Sequence, residues 1–201
     1  MIGGVNPWAT MWTSPRSTVR AVVNVSPKYG VFCLAWIYAL QNYLYFASYW
    51  SFGLSFSFFT ILLIGVFGSP LIGLAWIYFT GWVYYVTGKW LGGAATQAHL
   101  RTAIAWSKIP ASISLLMWLI LMIAGAETIF INGVSGPSTL FSNFILFILG
   151  VWSLVLLIQS VREVQGFSLG KTLLNLIFAW IVSWVFVFFI FIALRFMYID
   201  A

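Results

Sequence analysis

Charged side chains are so scarce in this sequence that most of its surface cannot face water. Nine Lys/Arg and three Asp/Glu are spread over 201 residues, and 63% of positions are hydrophobic. A soluble domain carries roughly a quarter charged residues, so the solvent around most of this chain is lipid. The apolar positions gather into five stretches, 31–50, 52–86, 103–124, 140–159 and 172–197. At about 1.5 Å per helical residue, each approaches or exceeds the roughly 30 Å of a bilayer core. Twelve Trp suit long membrane–water boundaries, where indole rings settle.

The stretch 52–86 is too long for one ordinary crossing and contains Gly65, Gly68, Ser69, Pro70 and Gly73. Lys and Arg accumulate on the cytoplasmic side, so charge placement decides how often it crosses. With one net crossing, Arg16, Arg20, Lys28, Lys89, Arg101, Lys108, Arg162 and Lys171 share one side. The loop 125–137, which has no Lys or Arg, then falls on the other side. Only Arg195 is out of place, and it can snorkel. Two crossings would divide the basic residues almost evenly. The sequence therefore predicts an all-α membrane protein with five net transmembrane crossings, its amino terminus cytoplasmic and its carboxyl terminus outside. Stretch 52–86 is either re-entrant in its first half or one long kinked helix.

Residues 1–29 read as a cytoplasmic amphipathic segment, followed by one polytopic domain at 30–201. Ser14-Pro15 gives an N-cap and a proline at the first helical position. Residues 16–23 then form an amphipathic helix along the interface, preceded by Trp8, Met11 and Trp12. Thr96 caps a helix running through Gln97, His99, Leu100, Arg101 and Ile104 toward Trp106. Gly166 stops one helix and Ser168 caps the next. Residues 1–15 carry no early basic residue and no continuous apolar core, so the first spanning helix is expected to act as the insertion signal.

The inventory for chemistry is short. General acid–base work needs a positioned pair of titratable groups. Glu127, Glu163, Asp200 and His99 lie on different loops. One His and one Cys, Cys33, cannot supply a metal site, and there is no phosphate-cradling or dinucleotide-binding glycine loop. The expectation is a protein that is not an enzyme, without cofactor or metal. The net charge of +6 comes from cations scattered singly, which offers nucleic acid no cluster of phosphate contacts. Polar residues inside the spans are Gln41, Asn42, Thr80, Ser107, Asn143, Asn175 and Ser183. They are expected to bond neighbouring helices, at about 0.6–2 kcal/mol each. Gly88–Gly92 and Gly166–Gly170 have the small-xxx-small contact spacing.

Several ordered segments resemble the Yip family of Ypt/Rab-interacting membrane proteins, most closely its short bacterial and archaeal members. They are Asn6-Pro7-Trp8, then 11–20 from Met11-Trp12 to Arg20, then Pro27-Lys28-Tyr29-Gly30. Thr87-Gly88-Lys89-Trp90-Leu91-Gly92-Gly93 and the run 100–110 ending in Lys108-Ile109-Pro110 follow. Gly150-Val151-Trp152-Ser153 leads to Glu163-Val164-Gln165-Gly166-Phe167-Ser168. The resemblance implies five spans and a cytoplasmic amino terminus. Its eukaryotic members are linked to Rab GTPase binding and vesicle traffic, but this chain lacks a long polar region before the first span, which argues against GTPase binding.

The expected function is a Yip-type membrane protein whose cytoplasmic face binds a protein partner or anionic lipid. The contact candidates are Trp8, Trp12, Pro15, Arg16, Arg20, Lys28, Lys89, Arg101, Trp106, Lys108, Pro110, Arg162, Glu163, Gln165 and Gly166. Membrane lipids, a membrane-protein partner or a second copy are the expected partners. One alternative is a small transporter or lipid-translocating protein, with Gln41, Asn42, Thr80 and Asn175 along a polar path near 52–86 and Asn143 a further polar position in the spans. Another is a structural subunit docking through its aromatic last span. The short amino terminus favours a bacterial inner membrane over ER or Golgi.

Overall fold

The computed structural model describes residues 4–125, 129–131 and 137–199, and these are helical almost throughout. Glu127, Asp200 and most of the 125–137 loop lie outside the described residues. The chain opens with one turn, α1 (Pro7–Thr10), capped by the Asn6 side chain, which accepts the Trp8 N–H. Helix α2 (Pro15–Val25) begins on Ser14 with proline in its first turn, as the dipeptide predicts. The Ser14 hydroxyl makes no cap bond; its carbonyl instead accepts the hydroxyls of Ser17 and Thr18. Gly30, at φ +70°, turns the chain into α3 (Val31–Tyr49).

A short 3-10 turn, Phe52–Leu54, follows, and then α4 (Phe58–Trp90) runs as one 33-residue helix straight through Pro70. The re-entrant form of 52–86 is therefore not what the chain adopts; the single long helix is. Proline removes one N–H from the ladder, a loss that neighbouring helices accommodate in lipid-embedded bundles. Helices α5 (Gln97–Ser107) and α6 (Ile109–Gly125) meet at a 43° bend. The break falls at Lys108 because Pro110 lies in the first turn of α6, where its missing N–H costs nothing. Thr96 caps α5 by accepting the His99 N–H. Helix α7 (Pro137–Gln165) ends at Gly166, φ +70°, and α8 (Leu169–Ile199) starts after Ser168, whose hydroxyl accepts the Lys171 N–H.

Helices α3, α4 and α6 link two ends of the molecule, and α7 and α8 pack alongside them. At one end Trp106 donates to Tyr29 O, Gln165 meets Gly88, and Ala111 N–H donates to Ser153 Oγ. At the other, Ser48 Oγ donates to Ile129 O and Gly53 N–H to Phe130 O. Three helices, α4, α7 and α8, are long and apolar enough to cross a bilayer, and the bent pair α5–α6 makes a fourth if counted as one span. Helix α3 has 19 residues with Gln41 and Asn42 at its middle, which lower its hydropathy.

Lipid tails are as apolar as Leu, so burial gives helices in a bilayer little reason to associate; close van der Waals packing and hydrogen bonds do. The extensive α3–α4 seam accordingly uses small residues. A Cβ at Gly73 would stand 2.5 Å from Ala35 O, and one at Gly65 would stand 2.7 Å from the Tyr43 ring. Two core clusters result. One, at the basic end, joins Val19, Val22, Leu34, Ile77, Leu100, Trp106 and Val161; the other, at the far end, joins Leu44, Ile61, Trp118, Ile129 and Phe130. The predicted interfacial helix α2 belongs to the first. Its Thr18, Val19 and Val22 are fully buried against α5 and α7, so its apolar face meets protein rather than acyl chains.

Candidate functional site

Eight of the nine Lys and Arg gather at the basic end, and Glu163 near the end of α7 is the one acid described there. Arg16 Nε donates to Glu163 Oε2 at 2.9 Å and Arg20 Nε to Oε1 at 2.6 Å, with Arg20 Nη2 also on Oε1. The carboxylate side chain is only 8% exposed, whereas the two arginines are 48% and 64% exposed. Helical spacing of four residues puts both guanidinium groups on one edge of α2, facing a single carboxylate. This clamp fixes α2 across the end of α7.

Trp106 is wholly buried behind it. Its indole N–H donates to Tyr29 O at 3.0 Å, its ring stacks on Tyr29, and Trp8 packs on it at 5.1 Å between centroids. Thr102 Oγ1 donates to Pro27 O, which fastens the α2–α3 turn carrying Lys28 onto α5. A Cβ at Gly30 would lie 2.9 Å from the Trp106 ring, so that glycine serves both φ and contact.

Gln165 is 3% exposed and organises the neighbouring corner. Its Oε1 accepts Ala95 N–H at 3.2 Å, its Nε2 donates to Tyr84 O at 3.4 Å, and its carbonyl accepts Ala94 N–H. A side chain at Gly88 or Gly93 would overlap the Gln165 carboxamide. Beside it, Thr87 Oγ1 donates to Asn175 Oδ1 at 3.1 Å, while Asn175 Nδ2 is buried with no partner among the described residues. Asn175 and Ser107 therefore sit at the basic end rather than at mid-depth. Gly88 is a true contact residue, whereas a Cβ added at Gly166 or Gly170 would point into open space.

The remaining cations are held in different ways. Lys89 donates to Gly93 O, Lys171 to Leu91 O and Arg162 to Phe167 O. Arg101 lies 4.2 Å from the Tyr78 ring centroid, and Lys108 lies 5.1 Å from that of Tyr38 and 6.0 Å from that of Trp76. Lys28 is exposed. A cleft of about 470 Å³ opens between the start of α2 and α7, lined by Trp12, Pro15, Arg16, Trp152 and Gln159.

A second cleft, about 400 Å³, lies between α3, α6 and α7 at the level separating the two core clusters. Tyr38, Gln41, Asn42 and Tyr45 line it from α3, with Ser114 and Asn143 opposite. Asn42 Nδ2 donates to Tyr38 O at 2.6 Å. Gln41, Asn42 and Asn143 are thus brought together. Thr80 lines a separate cavity of about 290 Å³ with Lys108, Tyr84 and Ser183, and Tyr38 borders both. Tyr38 and Tyr45 were not singled out by sequence, although 38, 41, 42 and 45 follow the i, i+3, i+4, i+7 spacing of one helix face. Among the described residues, no group of three His, Cys, Asp or Glu comes together that could hold a metal ion.

A family model described as the Yip1 domain matches residues 8–192. Searches of curated proteins and of solved structures found no match. The match takes in the Arg16–Arg20–Glu163 clamp, the Trp106 cluster and the Gln165 corner within one continuous span. The chain belongs to the Yip family of membrane proteins.

Proposed function

We propose that this chain is a non-enzymatic protein with five membrane crossings, its amino terminus cytoplasmic and its carboxyl terminus outside. Its basic end engages anionic lipid headgroups, in a role of membrane organisation. Charge segregation carries this reading: eight cations share one end, and Glu163 compensates only Arg16 and Arg20. Lys28, Arg101 and Lys171 have no carboxylate partner among the described residues. Each cation held near an anionic membrane surface contributes about 1 kcal/mol. The cleft joining Arg16 to Trp12 and Trp152 suits a charged headgroup with its acyl chain alongside. The test is enrichment of phosphatidylglycerol around the protein in mixed phosphatidylcholine bilayers. The triple variant Lys28→Gln, Arg101→Gln, Lys171→Gln is expected to lose most of that enrichment. Unchanged enrichment sinks the reading, and capture of an acidic protein by the same residues would replace it.

One observation favours a second reading, lipid or solute translocation: the polar side chains of Gln41, Asn42 and Asn143 share one open cleft between α3, α6 and α7. Polar groups inside the bilayer are costly, so a cluster of them facing one cleft is a candidate lining for a substrate path. Helix α4 is unbroken, so the path would run between α3, α6 and α7 rather than along 52–86. Replacing Gln41, Asn42 and Asn143 by Leu is expected to slow lipid scrambling in reconstituted vesicles. Scrambling that is absent in the parent chain, or indifferent to these changes, removes it.

A further inference from the structure

Lys108 stands apart from the other cations of the basic end. It occupies the break between α5 and α6, and its ammonium faces inward, toward a cavity walled by α3, α4, α7 and α8. Among the described residues it has no carboxylate partner and donates no hydrogen bond, unlike Lys89 and Lys171, which reach backbone carbonyls. What it has is the faces of Tyr38 and Trp76, whose rings pack at 4.7 Å. Aromatic faces attract a cation without neutralising it or satisfying its N–H donors.

The cavity is about 290 Å³, at the lower edge of the roughly 300–1,000 Å³ of small-molecule sites. Lys108 supplies its one charge. Thr80 and Ser183 add hydroxyls, and Trp76, Phe79, Leu157 and Trp180 supply apolar wall. Ser183 already donates to Ala179 O, which leaves its oxygen free to accept but not to donate. Trp180 is 65% exposed on the outer side of α8, so the cavity opens sideways toward the bilayer, while Phe79 against Phe186 at 4.9 Å closes it farther along the helices. One cation at the membrane boundary, with apolar walls leading inward, is the complement of a molecule with one anionic group and a hydrocarbon chain.

We infer that the Lys108 cavity is a binding site for an anionic amphiphile, its carboxylate or phosphate oxygen on the Lys108 ammonium and its chain along Trp76, Phe79 and Trp180. This deepens the reading of the basic end as a place for anionic lipid and rests on it for the side from which the ligand enters. An isolated cation facing apolar surface is desolvated at a cost, and an anionic oxygen restores both charge balance and hydrogen bonding. A zwitterionic headgroup brings its own cation into the same space and is disfavoured.

The experiment is native mass spectrometry of the delipidated full chain in uncharged detergent. It is titrated with oleate, dioleoylphosphatidylglycerol, dioleoylphosphatidylcholine and inorganic phosphate. One molecule of oleate or phosphatidylglycerol per chain is expected to bind ahead of phosphatidylcholine. Lys108→Gln is expected to weaken it by about ten- to a hundredfold, the weight of a hydrogen bond to a charged group, and Lys108→Arg to restore it. Ser183→Leu fills the cavity with Lys108 intact and is expected to block binding as well, which keeps the test alive if Lys108→Gln fails to fold. Binding that survives either Lys108→Gln or Ser183→Leu overturns the site. So does displacement of oleate by equimolar inorganic phosphate, or equal binding of phosphatidylcholine. That failure would leave the surface reading standing, because lipid enrichment is read from Lys28, Arg101 and Lys171.

Discussion

At Gly88 a hydrogen atom lets the carboxamide of Gln165 lie against the α4 backbone, and the same carboxamide holds the Ala95 N–H and the Tyr84 carbonyl. A methyl group there would occupy the volume of the Gln165 side chain. Gln165 cannot swing away freely, because it is buried and leaving would strand a buried donor and acceptor. Gly88→Ala is therefore expected to destabilise by about 1–3 kcal/mol, the usual cost of overpacking. The diagnostic is a double-mutant cycle with Gln165→Ala, read by thermal unfolding in detergent. Relief of the overlap predicts that the double variant loses less than the sum of the single ones, by more than the roughly 0.5 kcal/mol scatter of independent sites. Strict additivity would mean that Gly88 matters for something other than this contact.

Helix α2 shows how an element can be legible locally and opaque globally. Its start was readable because Ser14-Pro15 acts on its own backbone, and the starts of α5 and α8 were readable from Thr96 and Ser168 for the same reason. Its place was not. The Arg16 and Arg20 contacts reach 147 and 143 residues along the chain to Glu163, and no spacing rule connects them. An amphipathic face looks the same in sequence whether it will meet lipid or protein, so Val19 and Val22 gave no sign that they would be fully buried. The cleft facing α3 was half legible: Gln41 and Asn42 announce themselves, but the surfaces of α6 and α7 that complete it are set by packing. If the clamp holds α2 in place, Glu163→Gln should loosen it. Both guanidinium groups are largely exposed, so each pair is worth at most about 1 kcal/mol, or roughly fivefold in the population of the undocked helix. Limited trypsin digestion at Lys28 and Arg20 should accelerate by about that factor or its square. An unchanged rate would assign the docking to Val19, Val22 and Thr18 alone.

On the scale of the whole molecule, cations and cores are arranged along one axis. Helices α3, α4 and α6 join the corner built by Trp106, Gln165 and Glu163 to the one built by Ser48, Phe52 and Phe130, while α7 and α8 extend from the first. The cations sit at the first end, apart from Arg195 near the close of α8, which is exposed and long enough to reach a headgroup. The far corner is sealed instead by backbone contacts and stacked rings, with Trp118 on Phe130 at 6.3 Å. Positive charge is retained on the cytoplasmic side during insertion, so the basic end should face the cytoplasm and the aromatic corner the opposite side. Helix α3 is not among the helices long and apolar enough to cross a bilayer by length and composition, and a chain in which it failed to cross would move the aromatic corner to the cytoplasm. Cysteine accessibility separates the two arrangements. With Cys33 replaced, single cysteines at Ala94 and Ser55, both exposed positions at opposite ends, are labelled in intact cells and in inverted membrane vesicles. Ala94→Cys should react with a membrane-impermeant reagent only in the inverted vesicles, and Ser55→Cys only in the intact cells. Reversed labelling of the two positions would mean that α3 does not cross, and reaction of both from the same side that α4 does not; with either outcome the five-crossing architecture would fall together with the charge rule that supports it.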